Sequence, residues 1–298
     1  VGATASGEAA VVYGGLGNDV VNGATAASSG TLFADLGADN DSITFTAAVA
    51  AGSTVIGGSG TDTINLTNNT GDATVWGGAS LSDSTDGADT ITQGAGNAQI
   101  YANAGADTVN LVGKTGGSTY VHGGLGADTI TDAASVAVGV FTLAGGQGAD
   151  AITLGDAGIT AATVYGGNGL SDSTDGADTI TVAATAALDT ASIFGNAGAD
   201  TITYTSAGDS GNAVTINGGL DNDIVAVTLT NTDTAAINID AGNDSLTVTT
   251  AAGDDGTFTV TGYSTNDTLT INFNASTAAD MTLAVGSSSI IIDDSGNE

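Results

Sequence analysis

Thirty-three of the 298 residues are acidic, and all but Glu8 and Glu298 are Asp, the short carboxylate of tight turns and hard-cation sites. Twelve of them recur along the whole chain: Asp19, Asp41, Asp62, Asp89, Asp107, Asp128, Asp150, Asp178, Asp200, Asp223, Asp244 and Asp267. Successive members are 22, 21, 27, 18, 21, 22, 28, 22, 23, 21 and 23 residues apart. The two longest intervals hold the same insert, Leu81-Ser-Asp-Ser-Thr-Asp-Gly-Ala-Asp-Thr-Ile91 and Leu170 to Ile180, 89 residues apart. The inserts add Asp83, Asp86, Asp172 and Asp175. Carboxylates at so regular a spacing suit hard divalent cations. The spacing inside the inserts is not that of an EF-hand loop, so an extra ion and a solvated loop are both open there.

Little else in the chain could do chemistry. It has no Cys, one His (His122) and one basic side chain (Lys114), the latter read as a loop cation pairing locally. No thiol nucleophile, oxyanion clamp or second imidazole can be assembled from that set, and catalysis is not expected. A formal charge of -32 excludes nucleic acid and anionic membrane surfaces as direct partners. A hydrophobic content of 41% and a mean hydropathy of +0.21 argue against an unfolded acidic chain. The longest small-apolar stretch, near Ala133 to Gly146, is too short to span a bilayer, so no transmembrane segment is expected. The chain opens at Val1 without a leader, as expected of a mature or excised piece.

The elements that position the Asp are set by a repeat. Its clearest copies are Val12-Tyr-Gly-Gly-Leu-Gly-Asn-Asp19-Val-Val21, Val55-Ile-Gly-Gly-Ser-Gly-Thr-Asp62-Thr-Ile64 and Val121-His-Gly-Gly-Leu-Gly-Ala-Asp128-Thr-Ile130. The copies ending at Asp41, Asp89 and Asp178 read as carrying insertions before their Asp. Two residues after every motif Asp stands an aliphatic, from Val21 and Ile43 to Leu246 and Leu269. Two residues before every glycine pair or its substitute stands another, including Val12, Leu32, Val55 and Val260. These columns lie in short period-two segments rich in Thr, Val and Ile, the pattern of strands. The sequence therefore predicts an all-β fold, a parallel β-solenoid forming one domain over 1–298, with about thirteen coils of ~22 residues. One edge is a Gly-Asp turn and the other a variable loop. At ~4.8 Å per coil the rod is roughly 60 Å long.

The Gly-Gly-x-Gly-x-Asp-x-U-x motif, with U aliphatic, resembles the calcium-binding nonapeptide of the RTX family. The resemblance covers nearly the whole chain and implies a secreted β-roll with Ca²⁺ held between successive coils by the Asp carboxylates and backbone carbonyls. One motif per ~22 residues, where RTX rolls often carry tandem nonapeptides, implies a single metal-bearing edge. The pattern is also close to bacterial surface-layer and adhesin repeats. Stacked carboxylates ~4.8 Å apart repel by about 1 kcal/mol per pair even in water, which divalent ions would turn into cross-linking. Twelve turns leave eleven gaps, and one divalent ion in each would take the charge from -32 to -10.

Residues flanking the inward aliphatics must face outward. Beside the motif Asp they form a polar ladder such as Thr63/Asn65, Thr90/Thr92 and Thr201/Thr203, interrupted at Ala151 and Ile224/Ala226. Flat Thr ladders resemble those of ice-binding solenoids, although Thr also simply suits an exposed strand. Beside the glycines the outward positions give an interaction strip of Tyr13, Phe33, Trp76, Tyr101, His122, Tyr165 and Phe194. Lateral packing and sugar stacking are its obvious uses. The expected function is a calcium-stabilised extracellular structural protein at the cell surface, self-assembling end to end or laterally into a surface layer or filament. The alternatives are an adhesin, spacer or glycan-binding module that meets a cell-surface polysaccharide, and an ice-binding solenoid.

Overall fold

The computed structural model describes residues 9–22, 30–45, 48, 50–80, 83–113, 116–132, 139–155, 159–170, 172–183, 190–206, 211–230, 233–250, 257–273 and 290–293. Twenty-five strands and no helix occur among them, in two wholly parallel sheets of 12 and 13 strands. The chain alternates between the sheets, so each coil contributes one strand to each. The first coil is Ala10–Leu16 plus Val20–Asn22, the twelfth is Thr257–Thr261 plus Thr268–Phe273, and Ile290–Asp293 extends the second sheet. This is the expected β-solenoid. Its variable-loop edge, Lys114, Leu81, Ser82 and Ser171 lie mostly or wholly outside the described residues.

The core lies between the sheets and is built from two stacked aliphatic columns. One runs without a break from Val21 through Ile43, Ile64 and Ile91 to Leu246 and Leu269, each paired with the next. Period-two strands force this stacking, because equal side chains one coil apart bury each other's apolar area. The second column runs Val12, Ala34, Val55, Val75, Ile100, Val121, Leu143, Val164, Ile193, Ile216, Ile237 and Val260.

The second coil corrects the sequence reading. Ala34, not Leu32, pairs with Val12 and Val55, and Gly37 pairs with Gly15 and Gly58. The turn ending at Asp41 therefore has no insertion. Leu36, fully buried, takes the place of the motif's first glycine, which made Leu32-Phe33 look like the repeat's aliphatic-aromatic pair. Asp35 stands in the outward column and Phe33 lies one outward position farther from the turn, in line with Val11 and Thr54.

The remaining glycines of the motif divide into two kinds. The second and third adopt left-handed φ, for example 113° at Gly58 and 132° at Gly60, which side-chain-bearing residues rarely adopt. The first is demanded by space instead. A Cβ on Gly57, Gly123, Gly145 or Gly195 would sit closer than 3.0 Å to the next coil's carbonyl and to the Oδ2 of the Asp five positions on.

Candidate metal centre

The turn after the third glycine brings each motif Asp to the inner side of the edge. Eleven of the twelve are buried, and Asp19 of the first coil is half-buried. Deep burial sets them apart from solvated turn carboxylates. The tight turn folds the short side chain inward, over the bare first glycine where there is one, as at Gly57, Gly123 and Gly145, and equally where Leu36, Ala102 or Ile239 stands in its place.

These carboxylates form a ladder. The main-chain N–H of Asp19 donates to Oδ1 of Asp41 at 2.7 Å, Asp41 to Asp62, Asp62 to Asp89, and so on without a gap to Asp244 and Asp267. The residue after each lower Asp completes the rung by donating its N–H to the upper Asp carbonyl, as Thr129 does to Asp107 at 2.8 Å. Oδ1 of every motif Asp after Asp19 is thus engaged. Oδ2 is buried without a hydrogen-bond partner in all motif Asp except Asp267, whose Oδ2 accepts the Ser264 N–H. Bare buried oxygens of this kind are costly unless protonated or matched by a cation.

Burial is the main reason the carboxyls resist ionisation, and repulsion from neighbouring coils adds to it, against the stabilising N–H from the coil above. Asp62 and Asp128 are pushed up to about 6, Asp150 and Asp223 to about 7, and Asp107 and Asp200 to about 8. Asp89 and Asp178, which also face an insert carboxylate, reach about 9.

The inserts split their acids between two tasks. Asp83 and Asp172 close the loop: Oδ1 of each accepts from the N–H and hydroxyl two residues on, at Thr85 and Thr174, and each is held below the usual carboxylate range. Asp86 and Asp175 turn inward. Oδ1 of Asp175 accepts the Gly148 and Gly176 N–H groups at 3.1 and 2.8 Å, and Asp86 does the same with Gly60 and Gly87. Both leave a buried, partnerless Oδ2. Carboxylate oxygens of Asp150, Asp175 and Asp178 come within 4.8 Å of one another. All the donors are hard oxygens, and bare first glycines leave room beside them. The residues fit a hard divalent cation.

The aromatic strip is broken into clusters. Trp76, Tyr101, His122, Tyr165 and Phe194 do share one outward column, but Ala144 splits it. Trp76 and Tyr101 lie 5.1 Å apart between ring centroids, Tyr165 and Phe194 5.1 Å, and Tyr13 and Phe33 touch diagonally at 5.9 Å. Sequence reasoning missed Tyr120, which packs on Tyr101 at 5.6 Å from the adjoining column. It also missed Asn103 and Asn196. These hold the second-glycine position with φ of 83° and 82°, each in the coil after an insert, and their Nδ2 groups donate to the insert carbonyls of Ser80 and Gly169. The signal was visible in Ala102-Asn103-Ala104-Gly105 and Gly195-Asn196-Ala197-Gly198, where Asn takes the place of the second glycine in both.

Fold and site together define a class: a parallel β-solenoid with stacked, buried Asp turns, compatible with a β-roll repeat. No protein-family model, curated protein sequence or solved structure matches the chain. No helix among the described residues is long and apolar enough to cross a membrane.

Proposed function

We propose that this chain is an extracellular structural protein whose solenoid is clamped along its Asp edge by calcium, and whose copies assemble end to end into a surface layer or filament. The observation that carries the reading is the column of buried Oδ2 atoms without partners. A hard divalent ion satisfies those oxygens and cancels the repulsion between coils in one step. Calcium suits the place because it accepts irregular carboxylate and carbonyl sets, whereas magnesium demands near-ideal octahedra and keeps its water. The trio of Asp150, Asp175 and Asp178 is the place to fill first. Millimolar calcium is an extracellular condition.

Assembly is supported by the first coil. Val11, Tyr13, Leu16 and Val20 are all largely exposed there, on the edge strands of both sheets. An apolar strand edge invites pairing with a further coil. A second copy supplies one.

Negative-stain microscopy in ~2 mM calcium, and again in excess chelator, tests both halves of this reading. Fibres or sheets that dissolve in chelator are expected. Folded single rods in calcium would overturn assembly and favour a spacer or adhesin module. Identical particles in the two conditions would overturn the metal clamp.

A further inference from the structure

The two inserts build two grooves of the same design. The first is lined by Asp83 and Ser84, by the rings of Tyr101 and Tyr120 with His122, and by Asn168 just ahead of the second insert, around about 470 Å³. In the second, Asp172 and Ser173 replace Asp83 and Ser84, Phe194 replaces Tyr101, Asn217 replaces His122, and Leu220 replaces Leu125, around about 240 Å³. Asn103 and Asn196 occupy equivalent places in the two, and each ties its insert to the body through the Nδ2 bond described above. The internal duplication has therefore copied the insert side of the recess, one ring and the Asn tie, while Tyr120 and Asn168 line the first groove alone and Asp240 the second. Four coils separate the inserts, ~19 Å along the rod.

We infer that these grooves bind a neutral oligosaccharide. An aromatic lining offers its face to the C–H face of a sugar ring, and the carboxylate, hydroxyl, amide and imidazole around it match sugar hydroxyls. Burial holds the His122 imidazole below its usual range, against a side-chain hydrogen bond with Asn168. No Lys or Arg lines either groove, and a chain of charge -32 repels uronic acids, sulfated sugars and phosphates. The larger recess has the volume of an ordinary small-ligand site. Two like sites along one face of the rod suit a linear polymer that meets both. The grooves are formed by protein groups alone, so this inference does not rest on calcium or on assembly.

Calorimetry with maltohexaose, cellohexaose and chitohexaose as neutral probes, and hexagalacturonate as the anionic one, tests it. Trp76, the sole Trp and a neighbour of Tyr101, gives a second readout by its emission. At least one neutral hexasaccharide is expected to bind saturably, and hexagalacturonate is not. Tyr101→Ala is expected to weaken binding about tenfold, the scale of one stacked ring, and Phe194→Ala to remove the second site without altering the first. Both rings are partly exposed, so neither change should prevent folding, and far-UV circular dichroism checks that. Binding of none of the neutral probes overturns the inference. So does equal binding of the anionic one, or wild-type affinity in Tyr101→Ala. Microscopy of the same samples reports assembly separately, so failure of one reading is not mistaken for failure of the other.

Discussion

A buried carboxylate with one oxygen held and the other bare becomes neutral either by taking a proton or by meeting a cation. The two routes make opposite demands on pH. Without metal, the raised Asp bind protons in the fold that they lose in the unfolded chain. Their contribution is complete below the ordinary value of 3.8 and is lost as pH climbs through about 6 at Asp62 and about 9 at Asp178. In chelator the melting temperature should thus fall by about 10 °C or more between mildly acid and mildly alkaline buffer, and millimolar calcium should restore most of it at the alkaline end. Thermal melts followed by circular dichroism check this, and a melting temperature that rises with pH in chelator would sink the account. The Asp column itself was legible because almost no other ionisable side chain exists. The Oδ1 ladder was not, because it depends on how far the turn folds each carboxylate inward, a matter of φ and side-chain torsion that residue spacing does not encode.

Strands in this molecule are only three to nine residues long, so each coil is stable only through its neighbours. Ile130, fully buried between Val109 and Ile152, should show this when cut to Ala. The expected cost is about 2–5 kcal/mol. Hydrogen exchange should rise in the coils on either side and leave distant ones protected. Thr129→Ala, one residue away on the outer face, should change stability by no more than about 0.5 kcal/mol. Equal losses for the two variants, measured by denaturant unfolding, would contradict the inward and outward assignment. That assignment was readable because period-two alternation directly fixes the face. Only the register of the second coil was misread: Leu32 is buried as expected, but Leu32-Phe33 imitates the repeat's pair, and Ala34, the residue in line with Val12, is too small to stand out from the sequence.

Seen as a whole, the rod repeats one ion-binding chance per gap, and its response to calcium should be correspondingly steep. Each loaded site adds about 1.4 kcal/mol per tenfold rise in free calcium. Four loaded gaps then give about 5–6 kcal/mol per decade, or a shift of about 10 °C or more in melting temperature. A calcium titration by scanning calorimetry measures the slope, and a shift near 2 °C per decade would mean a single site. The overall architecture was the most legible level, since a period of ~22 with glycine punctuation admits few other folds. The grooves were the least legible. They arise from residues in three or more coils, and only the 89-residue echo between the inserts hinted at them.

The Asp ladder also has an arrow. In every rung the Asp N–H of the earlier coil meets the carboxylate of the later one, while the N–H after the later Asp returns to the earlier carbonyl, so the two directions along the rod are chemically unlike. Among the described residues no rung precedes Asp19, and at the far end the Asp267 N–H already turns back to the Ser264 carbonyl. A copy that prolongs both sheets in their parallel sense must join unlike ends. Such a contact never closes on itself by a two-fold axis. The thread it builds would be polar, with one end that gains subunits faster than the other and a direction that any partner walking or nucleating along it could read.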